Sequence, residues 1–427
     1  MKRTWLIKGG RILDPATGRD EVGDVAVVDG RIVADIPATS EVSVFDATGM
    51  WVLPGFLDLH AHFRVPGAAE SETWETGAAA AVRGGFTRVV LMPNTTPAID
   101  TVDWVEAIAA FSQGCPVDLL PAACCTAGRA GKAVAELRAL RKAGAVAFTD
   151  DGAMVADDAV MEEVMTLAAE LGAVVMDHAV VPSIAGGGVV RECEATRRLG
   201  VPFFPKEAEI CAVERDIRLA RKTGCRLHLQ HLSCAESVAL LRQAHEEGFK
   251  ESITAEATPH HLLLSAEDVP DTNDAVNWKM NPPLGVRSDV EALRQGVKDG
   301  TIACCATDHA PHAKALKDVG LLRAAFGVIG LETAVGASMK ALIEEAGMTP
   351  LGWGALWTLR PAQILGIPSP TLAAGSVADV CIVNPVPWDY KEKDIVSKSH
   401  NSPFIGRTLF GDVVATMKRG EFVGRQY

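Results

Sequence analysis

The sequence predicts an α/β protein: a (β/α)8 TIM-like barrel with a small β-sandwich domain built from both ends of the chain. From about residue 52 to 345, short apolar runs alternate with helical patterns, and the alternation recurs eight times. The apolar runs lack the polar alternation of half-exposed strands, which is typical of parallel strands buried on both faces. Short alternating strands on either side of this region predict the sandwich.

The eight candidate barrel strands share an apolar or β-branched centre. They are VLPGFLDLHAH (52–62), TRVVLMPN (87–94), DLLPAACC (118–125), AVAFTDD (145–151), AVVMDHA (173–179), RLHLQHL (226–232), SITAEATPH (252–260) and IACCATDH (302–309). Between them, segments such as DDAVMEEVMTLAAELG place apolar residues at i, i+3 and i+4, as amphipathic helices do. We expect Asp157 or Asp158 to be the N-cap of that helix.

The chain therefore divides into a barrel over residues 52–369 and one sandwich formed by residues 1–51 and 370–427. The flanking segments contain short strands such as DVAVVDGRIVAD and ADVCIVNP, with turns at Gly and Asp. Neither end carries a cluster of titratable or metal-ligating residues. We expect the sandwich to act as scaffold.

Composition favours an enzyme that acts on a small molecule. The chain has 427 residues, 48% of them hydrophobic, and a net charge of -13, which argues against a nucleic-acid or anionic-membrane partner. The start lacks the apolar run of a signal peptide and no stretch reaches membrane-spanning length, so we expect a cytoplasmic protein. The ten cysteines form no C-x-x-C pair and are expected to be reduced core thiols.

Histidine and aspartate residues recur where the candidate strands end. In parallel barrels the carboxyl ends of the strands form the face on which active sites are built. The residues are His60 and His62, Asp150 and Asp151, Asp177 and His178, His228 and His231, and Asp308, His309 and His312. Nitrogen and oxygen donors without cysteine suit a catalytic Zn²⁺, or Mn²⁺ and Co²⁺ as substitutes, rather than a closed structural zinc site.

Each of these residues also has an ordinary structural interpretation. A lone His-x-His is weak, although period-two geometry puts His60, His62 and Arg64 on the same side of the first strand. Asp150 or Asp151 alone could be a helix cap, and His178 a core histidine. His228 precedes His231 by three residues, so it lies on the opposite side of its strand, and we interpret it as structural.

Many motifs together resemble dihydroorotases of the long, bacterial type, in the amidohydrolase superfamily. They are PGFLDLHAHFR, LMPNTTPAID, AFTDDG, AGGG (185–188), HLQHLS, TAEATPHHLLL, KMNPPL, ATDHAPH, FGVIGLET and NSPFIGRTLFGDVVATMKRGEFV. The match extends from the N-terminal strands to the last turn, and ATDHAPH with MPNT is specific within the superfamily.

The resemblance implies two Zn²⁺ ions per subunit. His60, His62 and Asp308 would hold one metal, and His178 and His231 the second. Asp151 would bridge them, with Asp150 as its replacement if Asp151 points away. Hydantoinases and allantoinases share the fold but normally bridge the metals with a carboxylated lysine. The end of the fourth strand here has no lysine, which favours the aspartate-bridged type.

The resemblance also implies the substrate contacts. Arg64, Asn94 and His312 would bind an α-carboxylate, for which arginine offers a bidentate fork. Asn277 and the backbone around Phe326 and Gly327 would contact a pyrimidine ring. The alternative for Asn94 is a turn residue before Pro97.

The implied activity is the reversible cyclisation of N-carbamoyl-L-aspartate to L-dihydroorotate in UMP biosynthesis. A metal-bridging hydroxide would be the nucleophile and Asp308 the general acid and base. The alternatives are a hydantoinase, dihydropyrimidinase or allantoinase, or a silent homologue that serves as scaffold for aspartate carbamoyltransferase. That transcarbamoylase is the implied protein partner, and a homodimer is expected.

Some positions depart from the family pattern. Val65 replaces an acidic residue, Gly285 stands where an arginine commonly follows NPPL, and the segment 313–325 lacks an acidic cluster. We expect that segment to close over the substrate.

Overall fold

The structure, a computed structural model, describes residues 3–37 and 41–425. Within these ranges it contains sixteen β-strands. They are β1 (Thr4–Asp14), β2 (Arg19–Val28), β3 (Arg31–Val33), β4 (Val42–Asp46), β5 (Trp51–Pro54), β6 (Phe56–Ala61), β7 (Phe86–Leu91), β8 (Asp118–Ala123), β9 (Ala147–Phe148), β10 (Val174–Asp177), β11 (Arg226–Leu229), β12 (Ile253–Ala257), β13 (Cys304–Cys305), β14 (Val380–Asp389), β15 (Thr408–Lys418) and β16 (Glu421–Arg425).

Fourteen α-helices lie in the same described ranges. They are α1 (Trp74–Arg83), α2 (Val102–Ser112), α3 (Leu137–Ala143), α4 (Asp158–Glu170), α5 (Pro182–Ala185), α6 (Glu194–Arg197), α7 (Glu207–Thr223), α8 (Ala235–Ala244), α9 (Pro259–Leu263), α10 (Arg287–Lys298), α11 (Lys314–Lys317), α12 (Ala334–Met339), α13 (Pro350–Trp357) and α14 (Leu359–Leu365). In the described part of the chain, no helix is both long and apolar enough to cross a bilayer.

Strands β6 to β13 form one parallel sheet in sequence order, as the alternating pattern predicts. The sheet closes on itself where the His62 amide donates to the His309 carbonyl at 2.8 Å, beside a parallel bridge between Ala61 and His309. Apolar side chains of the strands and of the surrounding helices form one large buried cluster. The predicted (β/α)8 barrel is therefore confirmed.

The two ends of the chain meet in a second sheet, which contains β1 to β5 and β14 to β16. Strand β5 joins the two halves, because it pairs parallel with β1 and antiparallel with β14. A separate apolar core, which includes Trp5, Phe45, Val380 and Met417, lies within this terminal sheet. This arrangement agrees with the predicted sandwich.

The predicted extent of the first barrel strand was wrong. The run 52–62 is divided at Gly55: β5 belongs to the terminal sheet and β6 to the barrel. A Cβ at Gly55 would lie 2.3 Å from a side-chain carbon of Thr87, so the chain passes between the sheets only as a bare backbone. Hydrophobic periodicity cannot show this transition, because both strands are buried.

Candidate metal centre and substrate pocket

The six residues predicted to hold metal all lie at the carboxyl end of the barrel. They are His60 and His62 from β6 and its end, Asp151 after β9, His178 after β10, His231 after β11 and Asp308 after β13. Each has at most 7% of its surface exposed. Their donor atoms form two overlapping groups: His60, His62 and Asp151, and Asp151, His178 and His231. Asp308 adjoins the first group, with its Oδ1 3.0 Å from His62 Nε2, so the structure brings all six side chains together.

Asp151 is common to both groups. Its Oδ1 lies 3.3 Å from His60 Nε2 and 3.8 Å from His178 Nδ1, while its Oδ2 lies 3.6 Å from His62 Nε2. Asp151 is therefore the residue that links the two groups of donor atoms. The remaining close contacts complete each half: His62 Nε2 lies 3.0 Å from Asp308 Oδ1, and His178 Nδ1 lies 2.8 Å from His231 Nε2.

The neighbouring carboxylate, Asp150, binds backbone and hydroxyl groups of the loop after β8 instead. Its Oδ1 accepts from the backbone amides of Cys125 and Thr126 at 2.9 and 3.1 Å, and its Oδ2 accepts from the Thr126 hydroxyl. It therefore fixes the loop after β8. The structure thus separates the two aspartates that sequence reasoning left open, and Asp151 is the one that faces the cluster.

A second layer of polar side chains orients the histidines. His60 Nδ1 donates to Glu256 Oε1 at 2.8 Å, and His62 Nδ1 donates to Asn94 Oδ1 at 2.8 Å. The Asn94 amide donates in turn to Asp151 Oδ2 at 2.9 Å. These bonds place the ring protons on Nδ1 and direct the Nε2 lone pairs of both histidines toward the centre, as in metal sites with a carboxylate or amide behind the ligand.

The same geometry tests whether the residues fit a metal. A neutral imidazole has one N–H, yet His62 faces oxygen acceptors with both nitrogens, Asn94 on one side and Asp308 on the other. Within the described residues, the buried Nε2 of His60 has no hydrogen-bond partner. A metal ion between these nitrogens and the carboxylate oxygens satisfies both. Without a metal a second proton on His60 does so, because Asp151, Asp308 and Glu256 outweigh burial and raise the pKa of His60 well above its usual value. The donor set therefore fits a metal cofactor.

The electrostatics of Asp151, Asp308 and His231 agree with this conclusion. Burial alone would raise the pKa values of Asp151 and Asp308, but the surrounding histidines hold both well below the usual range. Burial and the neighbouring His178 lower the pKa of His231 to about 3. The carboxylates are therefore ionised and His231 is neutral near pH 7, which are the forms that ligate metals.

Three residues of the site adopt left-handed backbone conformations. The φ angles are 58° at Arg64, 32° at His231 and 45° at Asp308. Non-glycine residues seldom adopt this region, and such strain is concentrated at functional sites. Each of the three comes two or three residues after the end of a barrel strand.

The predicted carboxylate-binding residues lie beside the cluster. The Arg64 guanidinium lies 3.2 Å from His312 Nε2 and donates to the Pro311 carbonyl at 3.1 Å. Burial lowers the pKa of Arg64 to about 10, so it remains charged at neutral pH. Asn94 adjoins them, but both ends of its amide are engaged by His62 and Asp151. It therefore orients the ligands in this structure.

Of the residues predicted to contact a ring, the structure brings Phe326 and Gly327 to this pocket and leaves Asn277 outside the cluster. The Phe326 carbonyl accepts from His312 Nε2 at 2.7 Å. Asn277 lies in a short 3-10 helix, Asn273–Trp278, and its amide donates to Asp274 at 2.8 Å. The nearby Asn281 reaches the centre instead, with its Nδ2 3.1 Å from His178 Nε2.

Sequence reasoning missed Asn281, Glu256 and His260. Glu256 is fully buried between His60 and His228, which lies 3.1 Å from its second oxygen. The interpretation of His228 as structural holds in that it contacts Glu256 and not the cluster. His260 is buried close enough for Asp308 and His231 to affect its pKa, which burial lowers well below the usual value. Asn281 stands in KMNPPL, so that motif was the available signal.

The barrel matches solved structures of the same architecture. An L-hydantoinase (dihydropyrimidinase) from Arthrobacter aurescens superposes with a TM-score of 0.86 at 24% identity and covers 100% of this chain and 96% of its own. At that identity the match establishes the fold.

Sequence comparison identifies the family. Residues 49–237 match the model described as Dihydro-orotase-like. A dihydroorotase from Pelotomaculum thermopropionicum is 42% identical over 425 residues, covering 98% of each chain. One from Anaeromyxobacter dehalogenans is 39% identical over 428 residues, covering 99% of this chain and 98% of its own. With these relatives matched along almost their whole length, and with the aspartate-centred histidine cluster in place, the chain belongs to the dihydroorotase family.

Proposed function

We propose that this protein is a dihydroorotase, which interconverts N-carbamoyl-L-aspartate and L-dihydroorotate in pyrimidine biosynthesis. The observation that carries the proposal is the position of Arg64 and His312 beside the Asp151-centred histidine cluster. One part of this pocket suits a carboxylate and the other suits the hydrolysis of an amide.

The cofactor that best suits the site is a pair of Zn²⁺ ions, with Mn²⁺ or Co²⁺ as substitutes. His60, His62 and Asp308 would hold one ion, His178 and His231 the other, and Asp151 both. When bound, such ions lower the pKa of water from about 15.7 to about 7 and polarise a carbonyl oxygen.

Asp308 is placed to move the proton. It is ionised at neutral pH and lies 3.0 Å from His62, at the mouth of the barrel. In hydrolysis it takes a proton from the attacking water and gives it to the ring nitrogen as the amide C–N bond breaks. In the biosynthetic direction it takes the proton from the attacking nitrogen and gives it to the departing water.

Arg64 and His312 would bind the ring carboxylate. The buried guanidinium supplies a charge that a partly desolvated carboxylate needs, and both side chains belong to strand-end loops of the barrel. Phe326 and Gly327 would form the wall against the ring. The contact of Arg64 and His312 with the carboxylate would distinguish dihydroorotate from the neutral hydantoin and allantoin rings.

One experiment tests the proposal against its rivals. Purified protein is assayed with dihydroorotate, hydantoin and allantoin, and its metal content is measured on the same sample. We expect activity with dihydroorotate alone, and we expect Arg64→Met to raise KM for it because the carboxylate loses its cation. Faster turnover of hydantoin or allantoin would identify another cyclic amidohydrolase. A metal-loaded protein inactive on all three would favour a silent scaffold for aspartate carbamoyltransferase.

Three further expectations belong to this proposal. A cytoplasmic location suits an enzyme of nucleotide synthesis, and the protein is expected to be a homodimer. Aspartate carbamoyltransferase, which supplies N-carbamoyl-L-aspartate, is the expected protein partner if there is one.

A further inference from the structure

The wall at Phe326 and Gly327 is held from behind by two buried side chains. The Gly327 carbonyl accepts from Lys317 Nζ at 3.0 Å and from Asn401 Nδ2 at 3.0 Å. Gly327 itself has a φ of 138°, and a Cβ there would lie 2.7 Å from the Ala310 Cβ and 3.0 Å from His312 Nε2. The backbone therefore passes very close to the predicted carboxylate site.

Asn401 comes from the terminal part of the chain, between β14 and β15, and it is 3% exposed. Its Oδ1 accepts from the His312 amide at 3.1 Å, and its Nδ2 donates to the Ala310 carbonyl at 3.0 Å as well as to Gly327. Its own carbonyl accepts from the Ile329 amide at 2.9 Å. A single buried amide thus joins the loop after β13, which carries His312, to the wall that faces it.

Lys317 holds the same wall from the other side. It is 2% exposed, and its Nζ donates to the carbonyls of Ala325 at 2.9 Å, Gly327 at 3.0 Å and Lys279 at 3.3 Å. Within the described ranges, none of these partners is a carboxylate. Burial and the neighbouring Lys279 lower the pKa of Lys317 to about 7. In its protonated form the three N–H groups match the three carbonyl acceptors, so the side chain fixes the backbone of the segment that returns to the pocket.

We propose that Asn401 and Lys317 are positioning residues, which set the distance between His312 and the Phe326–Gly327 wall before substrate binds. This inference rests on the proposed function, because it assigns the substrate ring to that wall. If the wall is already fixed, substrate binding does not have to order a mobile loop. The loss of conformational entropy on binding is then smaller, and the affinity is higher. Neither side chain touches the reacting atoms, so both act on substrate binding more than on the chemical step.

A purely structural role makes a different prediction. Loss of general stability would reduce the folded fraction and the metal content, and with them the apparent kcat. Loss of positioning raises KM while kcat per bound metal and the metal content stay close to those of the unchanged protein. The split between KM and kcat therefore distinguishes the two roles.

The variants are Asn401→Ala and Lys317→Met, each paired with an exposed neighbour as control. His400→Ala and Lys314→Met serve this purpose, since their side chains are 52% and 88% exposed. We expect KM for dihydroorotate to rise about tenfold in each buried variant, because each loses the three side-chain hydrogen bonds that fix the pocket. The controls should not change KM, and unchanged KM in both buried variants would overturn the proposal.

A measurement on the unaltered protein covers the case in which a variant does not fold. The amides of His312, Gly327 and Ile329 all donate within this framework. We expect slow hydrogen exchange at these amides without substrate, and little further slowing when dihydroorotate is added. Protection that appears only with substrate would overturn the proposal. Failure of the unaltered protein to hydrolyse dihydroorotate would instead overturn the proposed function, so the two failures are distinct.

Discussion

At the residue scale, Glu256 shows how a side chain that cannot reach the substrate can govern the centre. It accepts from His60 Nδ1 at 2.8 Å and lies 3.1 Å from His228 Nε2, and burial opposed by these histidines leaves its pKa at about 2. Because it is ionised, it accepts the Nδ1 proton of His60 and so directs Nε2 toward Asp151.

We therefore expect Glu256→Gln to weaken metal retention by about 10 to 100-fold, the usual effect of removing the carboxylate behind a ligating histidine. The measurement is competition with a chelator, followed by metal analysis. Glu332→Gln is the control. Glu332 is also buried, but it accepts hydrogen bonds from Ser397, between β14 and β15, and not from a histidine of the cluster. Equal metal affinity in the two variants would show that Glu256 does not orient His60.

Which site residues the sequence could predict depended on how they are placed along the chain. The predicted ligands lie in the last two residues of an apolar strand or at most three residues after it, so strand position alone predicted that His178 and Asp308 share one face. Asn281 and Glu256 carry no such signal: one stands in a loop, and the other is an isolated carboxylate inside a strand. Asn277 was preferred to Asn281 although only four residues separate them, a distance that pattern reasoning does not resolve in a loop.

At the element scale, helix α4 begins after one of the two N-cap residues that the sequence predicted, Asp157 or Asp158. Asp157 is its N-cap, and its carboxylate accepts from the amides of Ala159 at 2.8 Å and Val160 at 3.3 Å. Asp157→Ala should reduce the free energy of unfolding by about 1 kcal/mol. Thr101→Ala in α2 is the matched control, because Thr101 occupies an N-cap without a side-chain cap bond. Urea unfolding compares them, and equal losses would contradict the capping role.

The elements were predictable in kind and order but less so in length. All eight barrel strands occur where apolar runs stand, yet β9 and β13 contain only two residues each. The sequence runs continue past these strands into the buried loops that contain Asp151 and Asp308. An apolar run is therefore longer than the strand that it predicts.

Gly285, which departs from the family pattern, has a packing reason. A Cβ at this position would lie 2.6 Å from the Ser233 carbonyl oxygen.

At the scale of the whole molecule, the terminal sheet is more than the scaffold that its sequence indicated. Its connecting segment delivers Asn401 to the pocket, some 340 residues along the chain from the first metal-ligand candidates, His60 and His62. Sequence reasoning did not find this link although Asn401 opens the NSPFIGRTLFGDVVATMKRGEFV motif, because a motif alone does not show which loop its side chains reach in space. The sheet must therefore be held firmly against the barrel for the pocket to keep its shape.

Lys418, at the end of β15, forms a polar attachment between the two sheets. Its side chain is 4% exposed, and its Nζ lies 2.8 Å from Asp379, 2.8 Å from Asp118 of β8 and 3.1 Å from the Thr87 carbonyl of β7. Asp379 is itself 7% exposed, so removal of the ammonium leaves a buried carboxylate without its cation. Such a loss typically costs about 3 to 5 kcal/mol.

We accordingly expect Lys418→Met to lower the urea midpoint of unfolding far more than Arg138→Met. Arg138 pairs with Glu170 on the surface, where the side chains are 62% and 51% exposed and an ion pair contributes at most about 1 kcal/mol. If the sheet also maintains the pocket, Lys418→Met should raise KM for dihydroorotate at urea concentrations below its midpoint, although Lys418 contacts the amino ends of β7 and β8 and not the pocket. Equal midpoints for the two variants would show that the apolar contacts alone hold the sheet to the barrel.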